Sequence, residues 1–288
     1  MYTAHAGARA APPPTMLLSL PACAAGGAVP VAITAGAAGL LAQLGLTAAF
    51  RASADPILAE APAYTAHQVV SFCLMLFVSV FGLVGWLAPP ASAATAAGRL
   101  LAPANSARWL GALCLGMLVA WDIPTCLVVP KLRKPDLLAH HFGMAAVALV
   151  GAFFLPTRYG FYYLGVAELS SVPMTVFDQA ERAVEIAAKS DAVDAARRQR
   201  LRATRDASRL VAALVFIAVR AVDFTRVTLT RFVPDALSVL ASGEAALRWP
   251  LQFMVVSSVG FVGLQLYWLS LFVRISLAQR RRERRRAR

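Results

Sequence analysis

Charged residues are scarce in this sequence, and their scarcity excludes most soluble folds. Only 15% of the 288 residues are Asp, Glu, Lys or Arg, whereas 59% are hydrophobic, and the mean hydropathy is +0.63. A typical soluble domain has about 25% charged residues and needs far less apolar surface. The composition therefore predicts an integral membrane protein.

Cysteine and histidine are also rare, with four residues of each. The cysteines have no metal-binding or redox spacing, and we expect the three in apolar segments to be small apolar fillers. The sequence shows no internal repeat, and without inverted repeats a transporter or channel is disfavoured. The cysteines are Cys23, Cys73, Cys114 and Cys126.

Long apolar runs dominate what remains. Each has about 18 to 25 residues, the length that an α-helix needs to cross about 30 Å of hydrocarbon. The predicted fold class is therefore all-α, a polytopic bundle of six or seven transmembrane helices. Only "LPTRYG" separates the fourth and fifth candidates, so one of those two is a candidate re-entrant segment. The predicted spans are residues 28–50, 68–88, 108–129, 138–155, 160–178, 208–232 and 250–275.

Basic residues are distributed unevenly among the predicted loops. With seven spans and a cytosolic C-terminus, 20 of the 28 Lys and Arg residues lie on the cytosolic side and six on the other, as expected for a multi-pass protein. The net charge of +13 has the same origin. The tail "RRRERRRAR" follows the last span, so we expect it to contact anionic lipid headgroups and not nucleic acid. A receptor-read retention signal is the alternative.

The regions outside the spans form few candidate domains. Residues 1–27 are rich in Ala, Pro and Gly and are predicted to be a disordered tail. Residues 28–50 form an N-terminal transmembrane helix, and residues 279–288 form a basic cytosolic tail. The segment 178–209 mixes acidic and basic residues in a helix-forming background, which predicts a cytosolic helix or extensions of the flanking spans.

A few polar residues lie inside the predicted spans, where an ionisable group must face the bundle interior, a partner or water. The topology places them between the cytosolic surface and the bilayer middle, which predicts a polar chamber. Arg220 and Asp223 are three residues apart, so the alternative for them is a self-neutralising ion pair. The set comprises Asp122, His140, His141, Glu168, Arg220 and Asp223, with His67 and Gln68 at the start of the second span.

The stretch "KPDLLAHHFG" places His140 and His141 at the start of the fourth span. A neutral imidazole accepts protons near cytosolic pH, and we expect Asp122 or Glu168 to orient one ring. A metal site is disfavoured, because adjacent helical residues diverge by about 100° and no other Cys or His is spaced to complete a zinc site. The alternative is a polar helix entrance that bonds backbone or headgroup phosphate.

Five landmarks occur in an order that resembles the TLC-domain family. They are the Asp of "AWDIPTC", "DLLAHH", "ELSSVP", the Arg of "FIAVR" and the final "LQLYWLSLFVRI". The resemblance covers residues 62–278 and implies a six-helix bundle around a polar chamber, with an added N-terminal helix. It also implies lipid-binding roles for Arg220, Asp223, Ser170, Ser171, Tyr267 and Trp268.

The family includes ceramide synthases, which transfer an acyl group from acyl-CoA to the amine of a sphingoid base. This branch implies catalytic roles for His140, His141, Asp122 and Glu168, with acyl-CoA as co-substrate and no bound cofactor. However, Ala167 stands where the synthases carry a second His, and Ser170 and Ser171 stand where they carry a second Asp. The sequence resembles the non-synthase branch more closely.

These features predict a protein that binds or senses membrane lipids and acts in lipid homeostasis or trafficking. The alternative is an acyl-CoA-dependent N-acyltransferase. We expect the endoplasmic reticulum as its membrane, with the plasma membrane or another internal membrane as alternatives. Pro173 is expected to kink the fifth span.

Overall fold

The computed structural model describes residues 27–286, and the regular elements in that range are all helices. We label seven principal helices. They are α1 (Ala28–Arg51), α2 (Pro62–Leu87), α3 (Asn105–Val128), α4 (Pro135–Phe153), α5 (Ser171–Ala187), α6 (residues 195–242) and α7 (Arg248–Arg286). Short helical segments lie at Pro56–Glu60, Ala91–Ala94, Ala96–Leu101, Pro130–Leu132, Tyr159–Tyr163 and Val166–Ser170. The predicted disordered tail lies outside the described residues except for Gly27, as do residues 287–288 of the predicted basic tail.

Five of these helices are long and apolar enough to cross a membrane, namely α1, α2, α3, α4 and α7. They coincide with the first four predicted spans and the last, and the predicted all-α polytopic fold is confirmed. The fifth predicted span is not one continuous helix, because the chain breaks between Tyr163 and Ser171. The sixth lies within α6, whose apolar stretch carries Arg220, Asp223 and Arg226.

Large apolar side chains cover the outer surface of the bundle. On α2, for example, Leu76, Val80 and Val84 are 43%, 52% and 63% exposed. An apolar surface of this extent is unfavourable in water and is matched by lipid chains. The polar side chains of the same helix, including His67 and Gln68, are buried and face inward.

Proline widens a turn of α3 close to its buried carboxylate. Residues Leu118–Asp122 are π-helical, and the amide of Ile123 donates to the carbonyl of Leu118. Pro124 follows directly. Because proline has no N–H and its ring crowds the carbonyl four residues earlier, a wider turn accommodates it without breaking the helix.

Two further π-helical stretches lie in α6. The stretch Thr228–Phe232 precedes Pro234 and has the same origin as the turn in α3. The stretch Ile217–Asp223 has no proline after it and contains Arg220. The helix ends at Gly243, whose φ of +74° is the left-handed conformation that glycine adopts most easily.

Two close backbone contacts depend on glycine. A Cβ on Gly116 of α3 would lie 1.9 Å from the carbonyl oxygen of Ala32 in α1. A Cβ on Gly82 of α2 would lie 2.4 Å from the Cα of Gly165, in the break before α5. Small residues at such crossings let helix backbones approach closely in membranes. The first contact docks α1 on α3, and the second holds the broken segment against α2.

Pro173 does not kink a span, because α5 begins at Ser171 and Pro173 therefore lies in its first turn. A missing N–H is tolerated there, since the first amides of a helix have no intrahelical partner. The change in chain direction comes instead from the break at Gly165 and the 3₁₀ segment Val166–Ser170.

Ion pairs join helices to the connecting segments at each end of the bundle. At one end Arg197 bonds Asp55 at 2.5 Å, and Lys131 bonds Glu185 at 3.0 Å. At the other end Arg99 forms two 2.6 Å hydrogen bonds to the carboxylate of Asp235, which also accepts one from the Tyr159 hydroxyl at 2.6 Å.

Candidate functional site

A cavity of about 530 Å³ lies inside the bundle and is lined from α2 to α7. Its wall combines apolar side chains with a smaller set of polar groups. The apolar lining includes Leu74, Met75, Leu113, Met117, Phe216 and Leu271. The polar lining includes His67, Asp122, His140, His141, Glu168, Ser170, Ser171, Arg220 and Trp268. These residues come from six different parts of the chain, so only the folded bundle brings them together.

Two histidines bracket the Asp122 carboxylate. His67 Nε2 of α2 lies 2.8 Å from Oδ1, and His141 Nδ1 of α4 lies 2.7 Å from Oδ2. An ionised carboxylate only accepts hydrogen bonds, so each of these ring nitrogens carries the donated proton. Of the two carboxylates expected to orient a histidine, the structure places Asp122 in that position. The hydrogen bond leaves Nε2 as the second nitrogen of the His141 ring.

His140 points away from Asp122 and packs against α7. Its ring lies edge-on to Phe261 and Trp268, with ring centroids 5.4 Å and 5.3 Å apart. The side chain is buried, and its Nδ1 has no hydrogen-bond partner among the described residues. Buried polar atoms rarely lack a partner, so this nitrogen is an unsatisfied group on the cavity wall.

Glu168 and Arg220 form the second polar contact of the cavity. Arg220 Nη2 donates to Glu168 Oε2 at 2.7 Å, and Arg220 Nε donates to Ser170 Oγ at 2.7 Å. Ser171 Oγ lies 3.0 Å from Arg220 Nη2 and donates to Glu168 Oε2 at 2.6 Å. The two serines therefore position the ion pair. No hydrogen bond joins Glu168 to a histidine within residues 27–274.

Asp223 does not pair with Arg220, contrary to the alternative based on sequence spacing. Its carboxylate bonds Arg226 at 2.5 Å and accepts from the Tyr162 hydroxyl at 2.8 Å, and it does not line the cavity. The reason is the π-helical turn at Ile217–Asp223. In such a turn, residues three apart no longer share a helix face. Asp223 therefore lies away from the cavity lining, and its lipid-binding role stays a prediction.

The two aromatic residues of "YW" diverge. Tyr267 is 51% exposed on the outer surface and does not line the cavity, and its lipid-binding role stays a prediction. Trp268 lines the cavity, and its Nε1 donates to Asp136 Oδ2 at 3.0 Å. This bond ties α7 to the first turn of α4. Adjacent helical residues point about 100° apart, which separates the pair.

Cys126 lies next to polar side chains, whereas the sequence predicted only an apolar filler at this position. Its Sγ lies 3.7 Å from Asp122 Oδ1 and 3.8 Å from His141 Nδ1. The donor atoms of His67, Asp122 and Cys126 all lie within 4.8 Å of one another. The one available sequence signal was the spacing of Asp122 and Cys126, since residues four apart share a helix face.

Comparison with known proteins gives one finding. The family model named for TRAM, LAG1 and CLN8, and described as the TLC domain, matches residues 65–274. The match runs from α2 into α7, leaves α1 outside and includes the cavity residues described above. No curated protein and no solved structure matches the chain.

Proposed function

Because this chain belongs to the TLC-domain family of membrane proteins, we propose that it binds a membrane lipid in the cavity and acts in membrane lipid homeostasis or trafficking. One observation carries the proposal. The cavity joins an apolar wall to His140, whose buried Nδ1 has no partner among the described residues. A lipid headgroup would bond that nitrogen while its acyl chain covers the apolar wall.

The size and polarity of the cavity support an amphiphilic ligand. A volume of about 530 Å³ lies within the range of about 300–1,000 Å³ that is typical of small-molecule sites. Arg220 is already neutralised by Glu168, and Asp122 is bonded by two histidines. The polar wall thus offers a ligand mainly imidazole groups. This favours a polar headgroup over a multiply charged one.

The test compares two adjacent positions on α2. Met75 lines the cavity, whereas Leu76 is exposed on the outer surface. In Met75→Trp the indole fills cavity space, and in Leu76→Trp it meets lipid or detergent. Native mass spectrometry of the purified proteins should find about one retained lipid per chain in the wild type and in Leu76→Trp. Met75→Trp should lose it. Equal lipid retention in the two variants would contradict the proposal.

A second candidate function is acyl-CoA-dependent N-acylation, and the 2.7 Å contact of Asp122 with His141 favours it. A carboxylate that holds Nδ1–H leaves Nε2 as a general base. That base would take a proton from an amine as the amine attacks the thioester and CoA leaves as thiolate. Acidic lining residues also outnumber basic ones, which suits an ammonium headgroup. They are Asp122, Asp136, Glu168 and Asp178, against Lys134 and Arg220.

Lipid binding stays the main proposal, because Ala167 stands where the ceramide synthases carry a second His, and Ser170 and Ser171 stand where they carry a second Asp. Purified protein with a long-chain acyl-CoA and a sphingoid base tests the alternative. An acyltransferase should form an amide, and Asp122→Asn and His141→Ala should each slow it by about 10²-fold or more. Glu244→Gln, at an exposed loop position, is the control. No amide from a panel of amine lipids would remove this candidate.

The proposed membrane is the endoplasmic reticulum, with the C-terminus in the cytosol. The uneven distribution of Lys and Arg supports the orientation. The basic tail would then contact anionic headgroups of the cytosolic leaflet. A reporter fused after Arg288 should be accessible in selectively permeabilised cells, and a protected reporter would reverse the assigned orientation.

A further inference from the structure

Four potential metal-binding side chains converge from three helices at the polar wall of the cavity. They are His67 of α2, Asp122 and Cys126 of α3, and His141 of α4. Asp122 and Cys126 are four residues apart on one helix face. The ring nitrogens of the histidines approach the carboxylate from opposite sides, one at each oxygen.

The chemical types of these donors match one metal ion closely. Imidazole nitrogen, thiolate and carboxylate oxygen are ligands that Zn²⁺ prefers, in sites of tetrahedral geometry. Magnesium and calcium favour all-oxygen sites and are disfavoured by the imidazole and thiol. The lipid-binding role proposed above assigns no task to Cys126, which is fully buried and does not line the cavity.

The donor atoms of three of these residues lie close enough together to share one ion, since those of His67, Asp122 and Cys126 are all within 4.8 Å of one another. With bonds of about 2.0 to 2.3 Å, zinc holds its ligand atoms about 3.3 to 3.8 Å apart. The thiol sulfur lies 3.7 Å from Asp122 Oδ1, which fits. The 2.7 Å and 2.8 Å contacts from the histidines to Asp122 are hydrogen bonds. An ion between His67 and Asp122 would take the place of the shared proton and lengthen that contact by about half an ångström.

The surroundings hold the rings in place, as they do around known metal ligands. His67 stacks on Trp121 with ring centroids 5.2 Å apart. Its second nitrogen, Nδ1, lies 3.5 Å from Ser71 Oγ. The expectation of no metal rested on spacing along the chain and on the divergence of His140 and His141. It does not apply to this cluster, whose donors come from α2 and α3.

We propose that His67, Asp122 and Cys126 bind one zinc ion, while His141 keeps its hydrogen bond to the second oxygen of Asp122. Binding releases the thiol proton, and the His67 ring proton moves from Nε2 to Nδ1, which faces Ser71 Oγ. Three protein donors leave the fourth tetrahedral position to water or another ligand, and the ion ties α2 to α3. This assignment goes beyond lipid binding and does not depend on it.

The experiment measures metal in the full chain, purified in detergent with a histidine-free affinity tag and no chelator. Elemental analysis should find about one zinc per chain in the wild type. Cys126→Ser and His67→Gln should each lower the zinc content by on the order of tenfold. Cys73→Ser, at an exposed cysteine of α2, is the matched control and should keep its zinc.

Cobalt substitution gives a second measurement that does not depend on a variant folding. Wild-type protein exchanged with Co²⁺ should show a thiolate-to-cobalt charge-transfer band and the visible bands of a tetrahedral ion. Cys126→Ser should lack the charge-transfer band, and Cys73→Ser should keep it. A wild-type protein that binds neither zinc nor cobalt overturns the proposal. So does zinc content that is unchanged in both Cys126→Ser and His67→Gln, because the metal then lies elsewhere.

Discussion

Arg220 Nη2 lies 2.7 Å from Glu168 Oε2, although 52 positions separate the two residues in the chain. The pair joins the π-helical turn of α6 to the 3₁₀ segment that precedes α5. Their side chains are only 7% and 12% exposed. Removing either partner leaves the other charge buried and unpaired, which is strongly destabilising. Substitutions at the pair therefore test whether it stabilises this part of the cavity wall.

Glu168→Gln should destabilise the protein by about 3–5 kcal/mol, since it leaves the Arg220 guanidinium buried without a counter-charge. The double variant Glu168→Gln/Arg220→Met should recover part of that loss, because it removes both charges. Thermal unfolding in detergent, analysed as a double-mutant cycle, measures the coupling. Additive effects of the two single changes would show that the pair does not hold this segment.

Gly116→Ala should destabilise the protein by about 1–3 kcal/mol through overpacking. The added Cβ would lie 1.9 Å from the Ala32 carbonyl oxygen, so α1 must shift away from α3. Gly45→Ala is the matched control, because a Cβ at that position of α1 meets nothing within 4 Å. The control should be neutral or stabilise by up to about 1 kcal/mol. Equal melting temperatures for the two variants would argue against the close crossing.

Arg99→Lys should lower stability by about 1–2 kcal/mol, because lysine cannot form the two parallel hydrogen bonds to Asp235. Those bonds are both 2.6 Å long and connect the loop after α2 to α6. Arg231→Lys changes an exposed arginine of α6 in the same way and serves as the control. Arg99→Lys should melt at a lower temperature than Arg231→Lys. A lower melting temperature for Arg231→Lys alone would contradict the contact of Arg99 with Asp235.

The ion pair of Lys131 with Glu185 should make stability depend on pH. Lys131 donates to both oxygens of Glu185 at 3.0 Å. This bond, with a second from Arg182, holds the pKa of Glu185 below its ordinary value of 4.5 despite partial burial. A lowered folded-state pKa contributes stability that is fully present above pH 4.5. That contribution is lost as pH falls through the folded-state pKa.

Melting temperatures of the wild type and Glu185→Gln, measured from pH 7 to about pH 3, test this contribution. The wild type should be more stable at pH 7 by less than about 1 kcal/mol, because the pair is partly exposed and screened by solvent. The difference should vanish at the acidic end. Glu244→Gln, at an exposed position, should show no such pH-dependent difference.

The helical architecture could be predicted from hydropathy because apolar length is a local property of the chain. The prediction of residues 28–50 as the first span is within one residue of α1, Ala28–Arg51. The prediction of a continuous fifth span at residues 160–178 failed, because the helix breaks between Tyr163 and Ser171. There the contact of Gly82 with Gly165, on different parts of the chain, decides the backbone path.

The residues of the candidate site could likewise be predicted from the sequence, but their contacts could not. The sequence by itself determined that the chain is a membrane protein and which polar residues are too costly to face lipid, among them Asp122, His141 and Arg220. Only the tertiary structure decided their partners. A π-helical turn rotates Asp223 away from Arg220, and the packing of α2 and α4 on α3 brings His67 and His141 to Asp122. Hydropathy is summed along the chain, whereas hydrogen bonds and metal coordination need atoms within about 2 to 4 Å, and only packing sets such distances.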